Sequence, residues 1–278
     1  MSGVLAVTRT LAAVALRDWR ISRRYPAAFV TLLFWPLVLP AVYVLQATAY
    51  GGDPRSAAAF AARTGTVQVA GFLYVGGAMY MWLTQVLWGP GTALRQEQQR
   101  GSLEQFFLTP ASRVALLFGS APPTLITTGW MFLVIAVALR FGFGLPLSGE
   151  ALLRAAGVFA ISAPALFGMS ALFAAAVLRF REVNAAVQLV RGLCQLLCGI
   201  TFPIAVLPDW ARAVALALPP TYVIEDMRRV LLAGASLASM SGSLALLGAF
   251  AVGLGGLGAV AFAAAERSGR RTGSLGQH

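Results

Sequence analysis

The sequence contains no lysine, a single histidine (His278), two cysteines and only 11% charged residues across 278 positions. Each shortage excludes something. A P-loop needs a lysine on the nucleotide phosphates, so no such ATPase site lies in this sequence. Schiff-base chemistry needs lysine as well. Histidine metal centres and Ser–His–Asp triads have no internal histidine to use. Cys194 and Cys198 stand four apart in an apolar stretch, one turn of helix. Without histidine partners they make a poor metal site, and they suggest no disulfide framework. The scarcity of charge excludes most: a soluble domain carries about 25% charged residues. With 58% hydrophobic residues and a mean hydropathy of +0.76, the sequence reads as an all-α integral membrane protein.

The sparse charges bound long apolar runs. A helix needs about 20 apolar residues to cross about 30 Å of hydrocarbon. The runs predict six transmembrane helices, at about 26–50, 66–94, 114–139, 155–178, 183–205 and 242–265, in one transmembrane domain over 1–278. All 21 basic residues are arginine, and the net charge is +11. An even number of spans puts both termini on one side. Arg9, Arg17, Arg20, Arg23, Arg24, Arg95, Arg100, Arg113, Arg179, Arg181, Arg267, Arg270 and Arg271 fall on that side. They outnumber Arg55, Arg63, Arg140, Arg154, Arg212, Arg228 and Arg229 on the other. The positive-inside rule therefore predicts cytoplasmic termini. The charge is an orientation signal, and nucleic acid is not an expected partner.

Residues 3–24 read as an interfacial helix. Val4, Leu5, Leu11, Ala15 and Trp19 share a broad face, and Arg9, Arg17, Arg20 and Arg24 lie mainly elsewhere, as in helices lying in the headgroup plane of a bilayer. The other reading is a plain cytoplasmic helix entering the first span. The apolar run at 11–16 is too short, and too soon followed by charge, for a secretory signal.

The connection 95–113 carries a compact signature. Ser102 and Gln105 fit a capping box after Gly101, and Pro110 stops the helix they begin. A short helix over 103–109 results, with Leu103, Phe106 and Phe107 on its apolar side and Glu97 and Glu104 as acids. Such a helix either docks into a partner's groove or rests its phenylalanines in lipid.

Two further segments stand out. Asn184, Gln188, Arg191 and Gln195 are spaced to share one helical face. An arginine within a span costs roughly 2.5–3.5 kcal/mol. The stripe therefore faces a subunit interface or an aqueous path, or else Arg191 snorkels towards Glu182 and the headgroups. Tyr43, Tyr74 and Tyr80 in the first two spans are expected to serve helix packing, with a role along an amphiphile pathway as the alternative. In 202–234, Pro203, Pro208, Pro219 and Pro220 forbid one continuous helix. Trp210–Leu218 and Tyr222–Leu232 are the expected short helices, the second capped by Thr221. Glu225 is set to pair with Arg228 or Arg229, and Gly234 ends the segment. Short helices re-entering the outer leaflet and a simple outer loop both fit.

Glu97-x-x-x-Gly101-Ser102-Leu103-Glu104-x-x-x-Leu108-Thr109-Pro110 resembles the E-x-x-x-G-T-L-E-x-L-L-x-S/T-P segment of type-2 ABC exporter permeases. Ser102 stands where that family commonly has threonine, and serine caps equally well. Phe202–Gly234 resembles the same family's P-x-x-x-L-P-x-W…P-x-T-Y-x-x-E-x-x-R-x-x-L-x-G stretch. The resemblance implies six spans, a coupling helix in 95–113, and short re-entrant outer helices before the last span. Pro208, Trp210, Pro219, Tyr222, Glu225 and Arg228 would form an outer gate. It implies a separate P-loop ATPase subunit that binds the ATP and Mg, so no cofactor in this chain, and a second permease copy or paralogue. It further implies export across a prokaryotic cell (inner) membrane, of an amphiphilic drug, lipid or lipid-linked glycan. An ion-driven secondary transporter would favour carboxylates within spans, and none lies in a span core. A polytopic enzyme would need clustered carboxylates for Mg²⁺, and only Glu225 and Asp226 are adjacent.

Overall fold

The computed structural model describes residues 68–99, 121–142, 144, 147–177 and 183–272, with single positions and short runs between 16 and 66, 40–45 among them. Among the described residues, seven longer helices follow one another: α1 (Val69–Gln99), α2 (Ala121–Gly142), α3 (Gly149–Val177), α4 (Val183–Leu197), α5 (Asp209–Leu216), α6 (Pro219–Ala233) and α7 (Ser241–Thr272). Two short 3₁₀ turns, Ile204–Val206 and Leu237–Met240, complete the path. There is no strand among the described residues.

Among the described residues, three segments are long and apolar enough to cross a bilayer: Thr124–Gly142, Gly149–Ala175 and Leu237–Ala261. Helix α1 has 31 residues and a length of about 46 Å, but Tyr74, Tyr80, Trp82 and five glycines dilute its apolarity. It is the central helix of the packing, with Val75, Ala78, Val86 and Leu87 fully enclosed. Aromatic rings tie it to its neighbours. Trp82 stacks on Phe159 of α3 at 4.4 Å between centroids, and Phe159 in turn meets Phe132 of α2 at 6.1 Å. Ser170 of α3 donates across to the Val86 carbonyl at 2.9 Å, a polar tie of the kind that joins helices in lipid.

Helix α3 starts where Ser148 Oγ accepts the Ala151 N–H at 3.1 Å, with Glu150 in the first turn favoured by the helix dipole. It packs backbone to backbone on α7. A Cβ on Gly168 would lie 2.8 Å from the Gly255 nitrogen, and one on Gly258 would lie 3.0 Å from Ala171 Cβ. The crowd of glycines in the last span suggests tight packing throughout, but the contact is confined to this register. A Cβ on Gly248, Gly253, Gly255 or Gly256 would meet open space.

The fifth apolar run differs from its expected span of 183–205. Helix α4 stops at Leu197, well before the expected end at 205. Gly199, at φ 74°, turns the chain out of the helix, and 198–203 is irregular. Cys194 and Cys198 at this end are free thiols and buried.

The short outer helices begin slightly off their expected positions. Helix α5 opens at Asp209 with Pro208 as its N-cap. Helix α6 opens at Pro219 and Pro220, after Leu218, because proline fits the first helical turn, where no N–H is required. Thr221 is therefore inside the helix, and its hydroxyl donates to the Ala215 carbonyl at 2.6 Å. Tyr222 donates to the Leu216 carbonyl at 2.8 Å. Both bonds hold the α5–α6 corner shut. Gly234, at φ 65°, ends α6, and Arg154 of α3 caps its carbonyl at 2.8 Å.

Candidate functional site

Two arginines, Arg228 and Arg191, stand out among the polar groups, and their surroundings are opposite. Arg228 in α6 is 5% exposed. Its Nε donates to the Phe72 carbonyl at 3.1 Å, Nη1 to the Gly199 carbonyl at 2.6 Å, and Nη2 to the Ile200 carbonyl at 2.7 Å. The guanidinium carbon stands 3.4 Å from the Phe72 ring centroid, a cation–π contact. The two carbonyls beyond α4 lie where a helix ends in partial negative charge. Arg228 thus ties α1, the irregular 198–203 stretch and α6 together. Helix α1 makes room for it at Gly76, where any Cβ would overlap the Ile200 oxygen and Arg228 Nη2.

Glu225 does not pair with Arg228. It pairs with Arg229 at 3.2 Å, with both side chains about half exposed, a contact of small energetic value. The periodicity separates the two arginines: Ile224, Arg228 and Leu231 share the buried side of α6, and Arg229 shares the exposed side with Glu225. Asp226 is buried too, and Ser243 Oγ of α7 lies 2.8 Å and 2.7 Å from its two oxygens. Ser243 Oγ is also 2.9 Å from the Met240 carbonyl. Among the other residues expected at an outer gate, Pro208 and Trp210 are exposed, Pro219 is buried and Tyr222 is half-buried.

Among the described residues, Arg191 in α4 has no comparable set of acceptors. Nη1 donates to Gln188 Oε1 at 3.0 Å, and the guanidinium carbon stands 5.5 Å from the Tyr80 ring centroid. Its Nε is buried and has no hydrogen-bond partner, a situation that costs about 1–3 kcal/mol. No carboxylate pairs with it among the described residues. Gln195, one turn further along, donates from Nε2 to Tyr43 Oη at 2.9 Å. The polar face of the fifth apolar run thus gathers Gln188, Arg191 and Gln195 with Tyr43 and Tyr80 of two other helical segments. Asn184 falls in the first turn of α4, and its side chain lies outside the described residues, as does Glu182. The two tyrosines, expected mainly to pack, are the partners that sequence periodicity within one helix does not reveal.

Of the coupling segment, Glu97 falls within the last turn of α1, its side chain outside the described residues. Gly101, Ser102, Leu103, Glu104, Phe106, Phe107 and Pro110 also lie outside them. The interfacial helix over 3–24 does so too, except for Leu16, Arg20 and Arg24, which are helical and exposed. Among the described residues no group of three or more His, Cys, Asp or Glu could hold a metal ion.

Long apolar helices, close glycine contacts and buried polar ties between helices together define a multi-pass helical membrane protein. The chain belongs to the ABC-2 type transporter family, whose profile it matches over residues 8–232. It is a membrane permease component of an ABC transporter. Such subunits are generally not catalytic themselves and typically work with a separate ATPase subunit. No individual curated protein matches the chain.

Proposed function

We propose that this chain is the six-span permease subunit of an ATP-driven exporter in a prokaryotic inner membrane, with both termini in the cytoplasm. It pairs with a second copy or a paralogue to form the pathway, and a separate P-loop ATPase binds the ATP and Mg. The match to the transporter family, which spans both the 95–113 connection and the outer helices, is the observation that carries this reading. The absence of lysine from the sequence agrees with an ATPase site on another chain. Arg228 supports an outer gate, because its three carbonyl partners pin α6 over the end of α4. The stripe Asn184, Gln188, Arg191 and Gln195 lines the path or the subunit interface. The substrate is an amphiphilic drug, lipid or lipid-linked glycan.

The helix over 103–109 is the coupling element. Coupling requires contacts that differ between the two states of the ATPase, and Glu104, Phe106 and Phe107 supply them. Glu104→Ala or Phe106→Ala in the reconstituted complex should leave membrane insertion intact and separate ATP hydrolysis from transport. Wild-type coupling in both variants would remove the docking role of this helix.

A further inference from the structure

We propose that Asp226 binds a proton, and that its contact with Ser243 is a proton-operated clasp joining α6 to α7.

Counting protons at this contact carries the argument. Ser243 Oγ lies 2.8 Å and 2.7 Å from the two Asp226 oxygens and 2.9 Å from the Met240 carbonyl oxygen. One hydroxyl proton cannot serve all of them. With Asp226 ionised, Ser243 either turns to the carboxylate and leaves Met240, or keeps Met240 and sets its lone pairs against a negative charge. With Asp226 protonated the contact closes. The carboxyl donates to Ser243 Oγ, and Ser243 donates to the Met240 carbonyl.

Burial favours the closed form. Asp226 is 1% exposed, and among the described residues Ser243 is its hydrogen-bond partner and no arginine pairs with it. A carboxylate has about four acceptor sites, and burying an ionised one against a single donor is costly. The charges around it do not make up the loss. On its own helix, Arg229 and Glu225 act on it with opposite sign, and they pair with each other on the exposed side. Arg228 is occupied by three carbonyls. On α3, Glu150 and Arg154 pair with each other, and Arg154 also binds the Gly234 carbonyl. Helix α5 carries Asp209 and Arg212, α1 has no charge before Arg95, and α7 has none before Glu266. The Tyr222 hydroxyl is turned to the Leu216 carbonyl. Burial therefore pushes the Asp226 carboxyl above its ordinary value, against smaller lowering by the Ser243 bond and Arg229. Protons can reach the contact, since Ser243 is half-buried beside the exposed Ser241 and Gly242.

The sign of the pH response follows. The carboxyl titrates higher in the fold than in an open chain. Its contribution to the clasp is complete below the ordinary carboxylate value and is lost as pH rises through the raised one. Asp226 stands two residues before Arg228 on α6, so the clasp acts on the helix that Arg228 pins. On the topology proposed above, α6 faces the outer side and its hold on the gate tightens in acid. That last step rests on the proposed topology, and the clasp itself does not.

The test is a pH titration of the full chain in phosphatidylcholine nanodiscs. Infrared spectroscopy of ¹³C-aspartate-labelled protein reads the carboxyl, and mass spectrometry reads amide hydrogen exchange in α6. One aspartate should keep its protonated band to about one pH unit or more above the ordinary value. The band should vanish in Asp226→Asn and persist when Asp18, Asp53 or Asp209 is replaced by asparagine. Between the ordinary value and the midpoint of the band, α6 protection should fall by about tenfold per pH unit after correction for intrinsic exchange. In Asp226→Asn it should stay flat. If Asp226→Asn does not fold, the wild-type titration and the other three variants still decide by elimination. Titration of every aspartate at the ordinary value, or α6 protection without this pH dependence, overturns the proposal. The measurement involves neither ATPase nor transport, so its failure leaves the permease reading standing.

Discussion

Gly76 of α1 and Arg228 of α6 occupy a shared space: a Cβ on Gly76 would overlap Arg228 Nη2 and the Ile200 oxygen that Nη2 binds. The smallest side chain and one of the largest are therefore mutual requirements. Gly76→Ala should displace the guanidinium and destabilise the fold by about 1–3 kcal/mol, the usual scale of overpacking. Arg228→Lys should fail to restore what Arg228→Ala loses, because a single ammonium cannot reproduce the fork of donors across three carbonyls. Thermal unfolding of the purified chain in detergent, with each variant compared with wild type, checks both.

The glycines of α7 divide into two classes. Gly258 lies against Ala171 and Leu172 of α3, whereas a Cβ on Gly253 or Gly256 meets nothing within 4 Å. Gly258→Leu should separate the two helices and lower the unfolding temperature markedly. Gly253→Ala and Gly256→Ala should stay within about 0.5 kcal/mol of wild type in the isolated chain. Similar losses in all three would contradict the α3–α7 register.

Asp226 and Ser243 join α6 to α7. One serine hydroxyl has a single proton, yet Asp226 Oδ1, Asp226 Oδ2 and the Met240 oxygen all lie within 2.9 Å of it. Ser243→Ala leaves the buried side chain without its donor and should cost about 1–3 kcal/mol. Asp226→Asn should be tolerated, because the amide can donate to Ser243 Oγ while Ser243 donates to Met240. Chemical unfolding of the two variants separates the outcomes. A harmful Asp226→Asn with a harmless Ser243→Ala would reverse the account of this contact.

The topology is open to direct labelling. Single cysteines at Ala58 and Ser274, in a background lacking Cys194 and Cys198, should react with impermeant maleimide from opposite sides of sealed vesicles. Labelling from the same side contradicts six spans with cytoplasmic termini.

Much of the architecture was legible because the physical signals were local. Charge-free runs located α2, α3 and α7, and proline positions divided the outer segment into α5 and α6. The end of α4 was not legible, since 198–203 remains apolar while its backbone leaves the helix. What decides there is a distant arginine that satisfies the Gly199 and Ile200 carbonyls, a contact between residues 28 or 29 positions apart. Thr221 was misassigned as a helix cap because two prolines ahead of it can themselves begin the helix. The polar stripe was visible in the spacing of Gln188, Arg191 and Gln195. Its partners Tyr43 and Tyr80 were not, because one helix's periodicity says which residues share a face and nothing of what faces them.

The most direct measurement is purification of the chain from its native membrane with any bound ATPase, followed by reconstitution and assay of ATP-driven export. A stoichiometric P-loop ATPase should accompany the wild-type chain, and nucleotide hydrolysis should drive substrate out of the cytoplasmic compartment. Undiminished transport by the chain alone, with no ATPase bound and no ATP consumed, would contradict the account.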